Sequence, residues 1–260
     1  MYQIAIPSYK RHDMLQEKTL KMLQEGKVEA SCITIFVVNK EEKDIYSKTI
    51  DENLYNKIVI GEIGRTNQRN FIKKYYDVGD YVVSLDDDLE YISRMHLNNT
   101  LSKVEDLDMF FTTNYELLLK RGLFLWGLYP VHNQFFMRST FETRDDLRFI
   151  IGLCHGFIVR EDRLLLSPYA ESKEDVEQTI LYYIKDGGVL RLEKYSAKTN
   201  VYNKKEQAKT WDIREKPARN AAVYIMETYP EFAKVWVRKT GIAEVKLRDT
   251  RLSNYLPILL

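Results

Sequence analysis

In the first third of the chain, apolar residues come in short runs: Ile4–Ile6, 31–38, 57–64 and 81–85. Between the runs they recur every third or fourth position. Runs of this length suit strands buried on both faces, and the spacing between them suits amphipathic helices. Leu15, Leu20, Met22 and Leu23 share one side of a first helix, with Asp13 placed to cap it and Gly26 to stop it. Asn39 to Glu42 close the second strand, and a helix runs on to about Leu54. A third helix begins at Thr66 and turns Phe71, Ile72 and Tyr75 inward, before Gly79 and Asp80 lead into the fourth strand. The order β-α-β-α-β-α-β predicts a parallel sheet with right-handed crossovers and helices on both faces.

After residue 88 the pattern changes. A short strand is predicted at 89–93 and an amphipathic helix at 104–120. Apolar, aromatic runs at 123–130, 133–139 and 149–160 predict strands of a mixed or antiparallel portion. A helix at 171–188 ends on Gly187 and Gly188, one strand covers 189–199, a helix covers 214–230, and a last short strand lies at 241–248. No repeat, linker or low-complexity segment interrupts this, so a single α/β domain is expected.

The fourth strand runs directly into Asp86, Asp87 and Asp88. Three adjacent carboxylates repel one another and resist burial, so a strand gains nothing structurally by ending this way. Hard oxygen ligands suit Mg²⁺ or Mn²⁺, and open α/β sheets bind ligands beyond the carboxyl ends of their strands. An Asp-rich solvated turn is the structural alternative. Two other nucleotide sites are excluded, because neither a G-x-G-x-x-G fingerprint nor a G-x-x-x-x-G-K-[ST] loop is present.

Composition adds little to this except in charge. The 260 residues are 45% hydrophobic, 30% charged and 12% aromatic, as in a globular domain with a sizeable core. No apolar run reaches the ~18 residues of a membrane span. The opening strand leaves no room for a signal peptide, and Cys32 and Cys154 stand apart as buried thiols, so a reducing, cytoplasmic location is expected. The net charge of +1 is uneven: residues 1–184 hold 23 Lys and Arg against 29 Asp and Glu, whereas 185–260 hold 16 against 9. The last third, at +7, suits either a polyanion or an ordinary solvated surface.

A nucleotide-binding α/β half, an Asp cluster ending its fourth strand and a mixed second half resemble the GT-A glycosyltransferases. A haloacid-dehalogenase-type phosphatase differs in keeping its acidic motif on the first strand. Four pieces together, IPSYKR at 6–11, FVVNKEEKDIY at 36–46, GRTNQRNFI at 64–72 and LDDDLE at 85–90, are similar to the TET/JBP-associated glycosyltransferases. That group includes the base J glucosyltransferase and phage enzymes that glycosylate hydroxymethylated pyrimidines in DNA. The match covers mainly residues 1–90, with looser support from SKEDVE at 172–177.

The resemblance implies a UDP-sugar donor, a Mn²⁺ or Mg²⁺ ion and a DNA acceptor. It implies a donor half at 1–95 and an acceptor half at 96–260. Asp88 is the expected metal ligand, Asp86 reaches the ribose or the metal, and Asp87, on the opposite side of the pleat, bonds locally near the nucleotide. Pro7, Ser8, Tyr9 and Arg11 are expected to line the uridine pocket, Tyr9 stacking on the base and Arg11 meeting a phosphate. Gln68, Arg69 and Asn70 lie by the nucleotide, and Asn39 and Glu42 contact base or ribose or simply form a strand-to-helix turn. The Glu174–Asp175 pair resembles that of inverting GT-A enzymes, with Asp175 as general base and Glu174 orienting it, although a helix N-terminus would lower the Asp175 pKa. His155 either contacts the acceptor or is a hydrogen-bonded core histidine. The family's late metal-ligating His has no counterpart, since no His follows 155; Asp212 or water would replace it. Lys198, Tyr202, Lys204, Lys205, Lys209, Trp211 and Arg214 interleave cations and aromatics as a DNA-binding segment would. A glycan or protein acceptor, or a catalytically silent nucleic-acid-binding module, are the other readings.

Overall fold

The computed structural model describes residues 1–137, 140–199, 204–238 and 241–251, with the backbone alone for 204–214. The first half runs β1 (Tyr2–Pro7), α1 (His12–Met14), a π-helical stretch (Leu15–Leu20), α2 (Lys21–Glu25), β2 (Ile33–Val37), α3 (Lys40–Thr49), β3 (Lys57–Ile60), α4 (Arg65–Tyr75) and β4 (Tyr81–Leu85). The second runs β5 (Leu89–Met95), β6 (Leu101–Lys103), α5 (Leu107–Lys120), β7 (Leu125–Leu128), β8 (Thr143–Arg144), β9 (Cys154–Ile158) and α6 (Glu174–Asp186). It ends with β10 (Leu190–Leu192), β11 (Tyr195–Thr199), α7 (Lys204–Thr228), β12 (Ala233–Val237) and β13 (Ala243–Leu247).

The main sheet has the order β3-β2-β1-β4-β9-β7-β10-β8. Its first four strands are parallel, as the alternating pattern predicts, and β9 then enters antiparallel to β4. Alternate side chains of the apolar runs feed two cores. Ile4, Ile6, Val83 and Leu85 join Leu23, Phe111 and Trp126 on one face, while Ala5, Phe36 and Val82 join Phe157 and Ile180 on the other. Both faces are therefore covered, and polar alternation within these strands would have cost burial. A second antiparallel sheet, β11-β5-β6, grows from the chain just past the aspartates, and β12-β13 form a separate hairpin. Among the described residues no helix is long and apolar enough to cross a membrane.

Several expectations are corrected. Asp13 does not cap the first helix: Arg11 is its N-cap, without a side-chain bond, and Asp13 pairs with His12. The described part of the apolar stretch 133–139 is no strand. Phe135 and Phe136 face solvent, and the chain is held in turns by Asn133 and by Tyr129, whose hydroxyl donates to the Phe136 carbonyl. The run 189–199 breaks at Glu193 and Lys194, so β10 stays in the main sheet beside β7 and β11 crosses to pair with β5. Helix α7 starts ten residues earlier than predicted and holds Pro217 inside it. Strand β12 was not foreseen, its Trp236 and Val237 being exposed.

Candidate active site

Beyond the carboxyl ends of β1, β2 and β4 lies an open cleft of about 490 Å³ lined by residues between Pro7 and Asp88. That volume suits a small-molecule ligand. Of the residues expected at a nucleotide, Pro7, Ser8, Tyr9, Arg11, Gln68, Arg69, Asp86, Asp87 and Asp88 all line it.

The three aspartates have separate environments. Asp87 is buried: Ser8 Oγ donates to it at 2.7 Å and Arg11 Nη1 at 3.2 Å. Tyr46 continues this chain of bonds, its hydroxyl 2.7 Å from Ser8 Oγ and accepting from the Arg11 amide. Asp87 thus fixes the loop after β1. Asp86 is 42% exposed in its side chain and lies 3.5 Å from Arg69 Nη2. Asp88 is 20% exposed, 4.0 Å from Arg11. Burial, and next the charges of Asp86 and Asp87, push its pKa up. The backbone of this turn is held from outside: Thr19 Oγ1 donates to the Asp86 carbonyl at 2.8 Å and accepts from the Leu89 amide at 3.0 Å. Thr19 sits in the π-helical stretch, where the extra residue per turn re-aims side chains, and a helical period of 3.6 gives no sign of it.

A divalent cation fits here. It would offset the mutual repulsion that raises Asp88. Among the described residues no three His, Cys, Asp or Glu side chains converge as a full shell. Asp88 and Asp86 would therefore supply one or two ligands, which suits Mg²⁺ or Mn²⁺ completed by phosphate oxygens and water.

Arg69 joins this corner to the acid pair. Its guanidinium is buried, donates to the Gly152 carbonyl at 3.2 Å, and has Nε 3.5 Å from Glu174 Oε1. That Nε has no hydrogen-bond partner, so the group retains donor capacity at the cleft wall. Arg65, which the motif reading passed over, reaches the same Glu174 oxygen at 3.5 Å. Gly152 is needed for this approach, because a Cβ there would stand 2.7 Å from Arg69 Nη2. Asp175 lies across Gly152 from Arg69, its oxygens accepting from the Gly152 and Val176 amides at 3.3 and 2.9 Å. Burial raises the pKa of both acids, against the lowering by Arg69. The helix terminus was expected to lower Asp175; desolvation outweighs it.

Other expected residues fall elsewhere. Asn39 caps α3 by accepting from the Glu42 amide, and Glu42 accepts from the Lys10 amide; both shape the β1 loop from behind and neither lines the cleft. Gln68 lines it but accepts from the Glu62 amide. Asn70 exchanges two bonds with Leu166, away from the cleft. His155 is buried in β9, 3.1 Å from the Gly152 carbonyl, and burial followed by the Arg69 charge holds its pKa well below the usual value. It is a core histidine behind Arg69. Tyr9 is exposed at the cleft, with Lys10 Nζ over its ring at 5.1 Å from the centroid. Lys198 pairs in register with Tyr91, three residues past Asp88. Tyr202 and the side chains of Lys204, Lys205, Lys209, Trp211, Asp212 and Arg214 lie outside the described residues. Among the described cations of the last third, Lys185, Arg191, Arg219, Arg238 and Arg251 pair with carboxylates.

No family model matches the chain, and no curated protein matches it in sequence. Solved structures match it in fold. S. aureus TarS 1-349 in complex with UDP-GlcNAc superposes with a TM-score of 0.54 at 14% identity, over 86% of this chain and 66% of that one. The mannosyltransferase PcManGT from Pyrobaculum calidifontis, in complex with GDP-Man and Mn²⁺, gives 0.56 at 14%, over 87% and 64%. Glucosyl-3-phosphoglycerate synthase from Mycobacterium tuberculosis, with Mn²⁺, UDP and glucosyl-3-phosphoglycerate, gives 0.52 at 10%, over 96% and 87%. The chain spans slightly less than two thirds of the TarS and mannosyltransferase chains. The mixed sheet, parallel over its first four strands and antiparallel from β9, superposes on these structures, and the fold of the chain is GT-A.

Proposed function

We propose that the chain is a metal-dependent glycosyltransferase that takes a UDP-sugar in the cleft beyond β4 and transfers the sugar, glucose in the first instance, to the hydroxymethyl group of a 5-hydroxymethylpyrimidine in DNA. Hydroxymethylcytosine is preferred over hydroxymethyluracil. The observation that supports the chemistry is Asp86 and Asp88 at the rim of the cleft, facing Arg69 and Arg11, in a fold whose solved members hold nucleotide sugars or UDP with Mn²⁺. Asp88 and Asp86 would hold a Mn²⁺ or Mg²⁺ ion, which would supply Lewis-acid stabilisation of the departing diphosphate. Arg69 and Arg65 add positive charge at the same wall, where a developing phosphate charge is stabilised without reorganisation. Tyr9 offers a ring face for the base, and residues 1–95 serve as the donor half.

The acceptor hydroxyl needs a base, and Asp175 takes that role in an inverting transfer, with Glu174 holding the guanidiniums beside it. Asp175→Asn is expected to lower kcat by about 10²–10⁴-fold with UDP binding retained. Because burial raises the Asp175 pKa, the acid limb of kcat should lie above the ordinary carboxylate value of about 4, activity rising with pH as the acid ionises. A limb at or below that value at saturating metal removes Asp175 from the role.

The DNA acceptor rests on the motif resemblance at 1–90, on Lys198 beside the aspartate turn and on the basic stretch 204–214. Charge reversal at Lys204 and Lys205 together is expected to weaken duplex binding and to flatten its dependence on salt by about one unit of slope per lost phosphate contact. An unchanged slope removes this stretch from the DNA surface. A glycan or protein acceptor is the second reading, favoured by the exposed rings of Phe135, Phe136 and Phe141. The deciding experiment is mass spectrometry of nucleosides from hydroxymethylated and plain duplexes after incubation with a panel of sugar nucleotides. A mass gain confined to the hydroxymethylated base supports the proposal; turnover of donor with no modified nucleoside moves the acceptor elsewhere.

A further inference from the structure

Helix α4 brings Arg65, Gln68 and Arg69 to the cleft, yet it lacks a cap of its own. Its N-cap is Gly64, at φ 92°, with no side chain to receive the first amides. Those amides would need water or a partner from elsewhere in the chain. The partner is Glu171, whose two carboxylate oxygens accept from the Arg65 amide at 2.7 Å and the Thr66 amide at 3.0 Å.

Glu171 closes one end of a strap, residues 163–171, that runs antiparallel along α4. At the far end, Arg163 Nη1 donates to the carbonyls of Lys73 and Tyr76, both at 2.8 Å. Between the ends, Lys73 Nζ donates to the Leu164 carbonyl and Asn70 exchanges two bonds with Leu166. A carboxylate thus meets the positive end of the helix and a guanidinium its negative end, each matched to the helix dipole. The Ser167 amide donates to Glu177 Oε2, which ties the strap to α6, the helix that begins with the Glu174–Asp175 pair.

We propose that Glu171 is a positioning residue for donor binding. Its carboxylate fixes the Gly64–Arg65 wall of the cleft, and through it the two guanidiniums that meet Glu174 and would face the diphosphate. Glu171 lies outside the cleft lining and is exposed, so its removal opens the Arg65 amide to water, while Thr66 stays buried. The inference rests on the donor reading above.

The test is calorimetry of UDP with Mn²⁺, alongside donor kinetics and thermal unfolding of the same variants. Glu171→Ala is expected to raise the UDP Kd and the donor KM about fivefold, the ordinary worth of an N-cap, with kcat changed less than twofold. Glu171→Gln, which keeps one acceptor oxygen, should fall between. Arg163→Ala removes a comparable cap at the end of α4 remote from the cleft. It should lower Tm and leave the UDP Kd unchanged. If Glu171→Ala lowers Tm while UDP binds as in the unsubstituted chain, the residue is structural only and the proposal is overturned. If Arg163→Ala weakens UDP as much as Glu171→Ala, the effect is general loosening of α4, and the assignment to Glu171 is overturned. An unsubstituted chain that binds no UDP overturns the donor reading, and this inference with it.

Discussion

Asp88→Asn is expected to abolish metal-dependent turnover of a UDP-sugar while leaving the fold as stable as before, or more so. The loss should exceed about 10²-fold, the scale seen when one preorganised electrostatic partner of a developing charge is removed. Stability moves the other way because Asp88 carries a raised pKa, from burial first and from the neighbouring Asp86 and Asp87 second. A carboxyl whose folded pKa is raised favours folding when protonated, and that contribution fades as pH rises through the folded value. At neutral pH the ionised Asp88 is therefore a burden, and asparagine removes it. Tm should be equal or higher at pH 7, with the gain shrinking toward pH 4. The sharper measurement is the Tm shift on adding Mn²⁺ and UDP, which mass action gives to any chain that binds them only when folded. That shift should vanish in the variant. Normal turnover, or a Mn²⁺ shift of undiminished size, would remove Asp88 from the metal.

Arg69→Leu is expected to be the most destabilising single change at the site. The guanidinium is buried against buried Glu174 and also meets Asp86 and the Gly152 carbonyl. Breaking a buried ion pair from one side costs about 3–5 kcal/mol, which in a chain of this size lowers Tm by roughly ten degrees. The cost should depend on pH in a stated direction. Arg69 lowers the pKa of both Glu174 and Asp175 against a rise due to burial, so without it both acids hold their protons more strongly. In acid the freed carboxyls stay protonated and the loss is partly relieved; in alkali they ionise with Arg65 as the remaining cation beside Glu174, and the loss deepens. Denaturant unfolding at pH 5 and pH 8 measures this. An equal loss at both values would mean that the damage is packing alone and that the charge pairing of Arg69 with the acid pair contributes nothing.

The cleft side of the fold was largely legible in the sequence because its signals are local. Four apolar runs became β1 to β4, and a strand ending in three carboxylates has few structural explanations, so Asp86, Asp87 and Asp88 stood out before any coordinates. Even the pleat argument placed Asp87 correctly, as the member of the triplet turned inward onto Ser8 and Arg11. What the sequence did not disclose depends on contacts between distant residues. Glu171 is an unremarkable surface acid until it is seen 2.7 Å from an amide 106 residues earlier. Thr19 carries no signal because a π-helical stretch has the composition of an α-helix. Asn39 and Glu42 sit where a base contact was expected, but the helix cap took the Asn39 side chain and the Lys10 amide took the Glu42 carboxylate. His155 shows the opposite case: a histidine between apolar residues read two ways, and burial behind Arg69 decides for the core. The division of 189–199 between two sheets was hidden because period-2 alternation says nothing about which partner a strand will choose.

Thr19 has a consequence for how the aspartates can be studied. Its hydroxyl grips the peptide units on either side of Asp87 and Asp88, so the shape of that corner is set by main-chain anchors and not by the acids themselves. Deleting one carboxyl should leave its neighbours standing where they were. Substitutions of Asp86 and Asp88 can then be compared without a rearranged main chain blurring the result, whereas loss of Asp87 also releases Ser8 and Arg11.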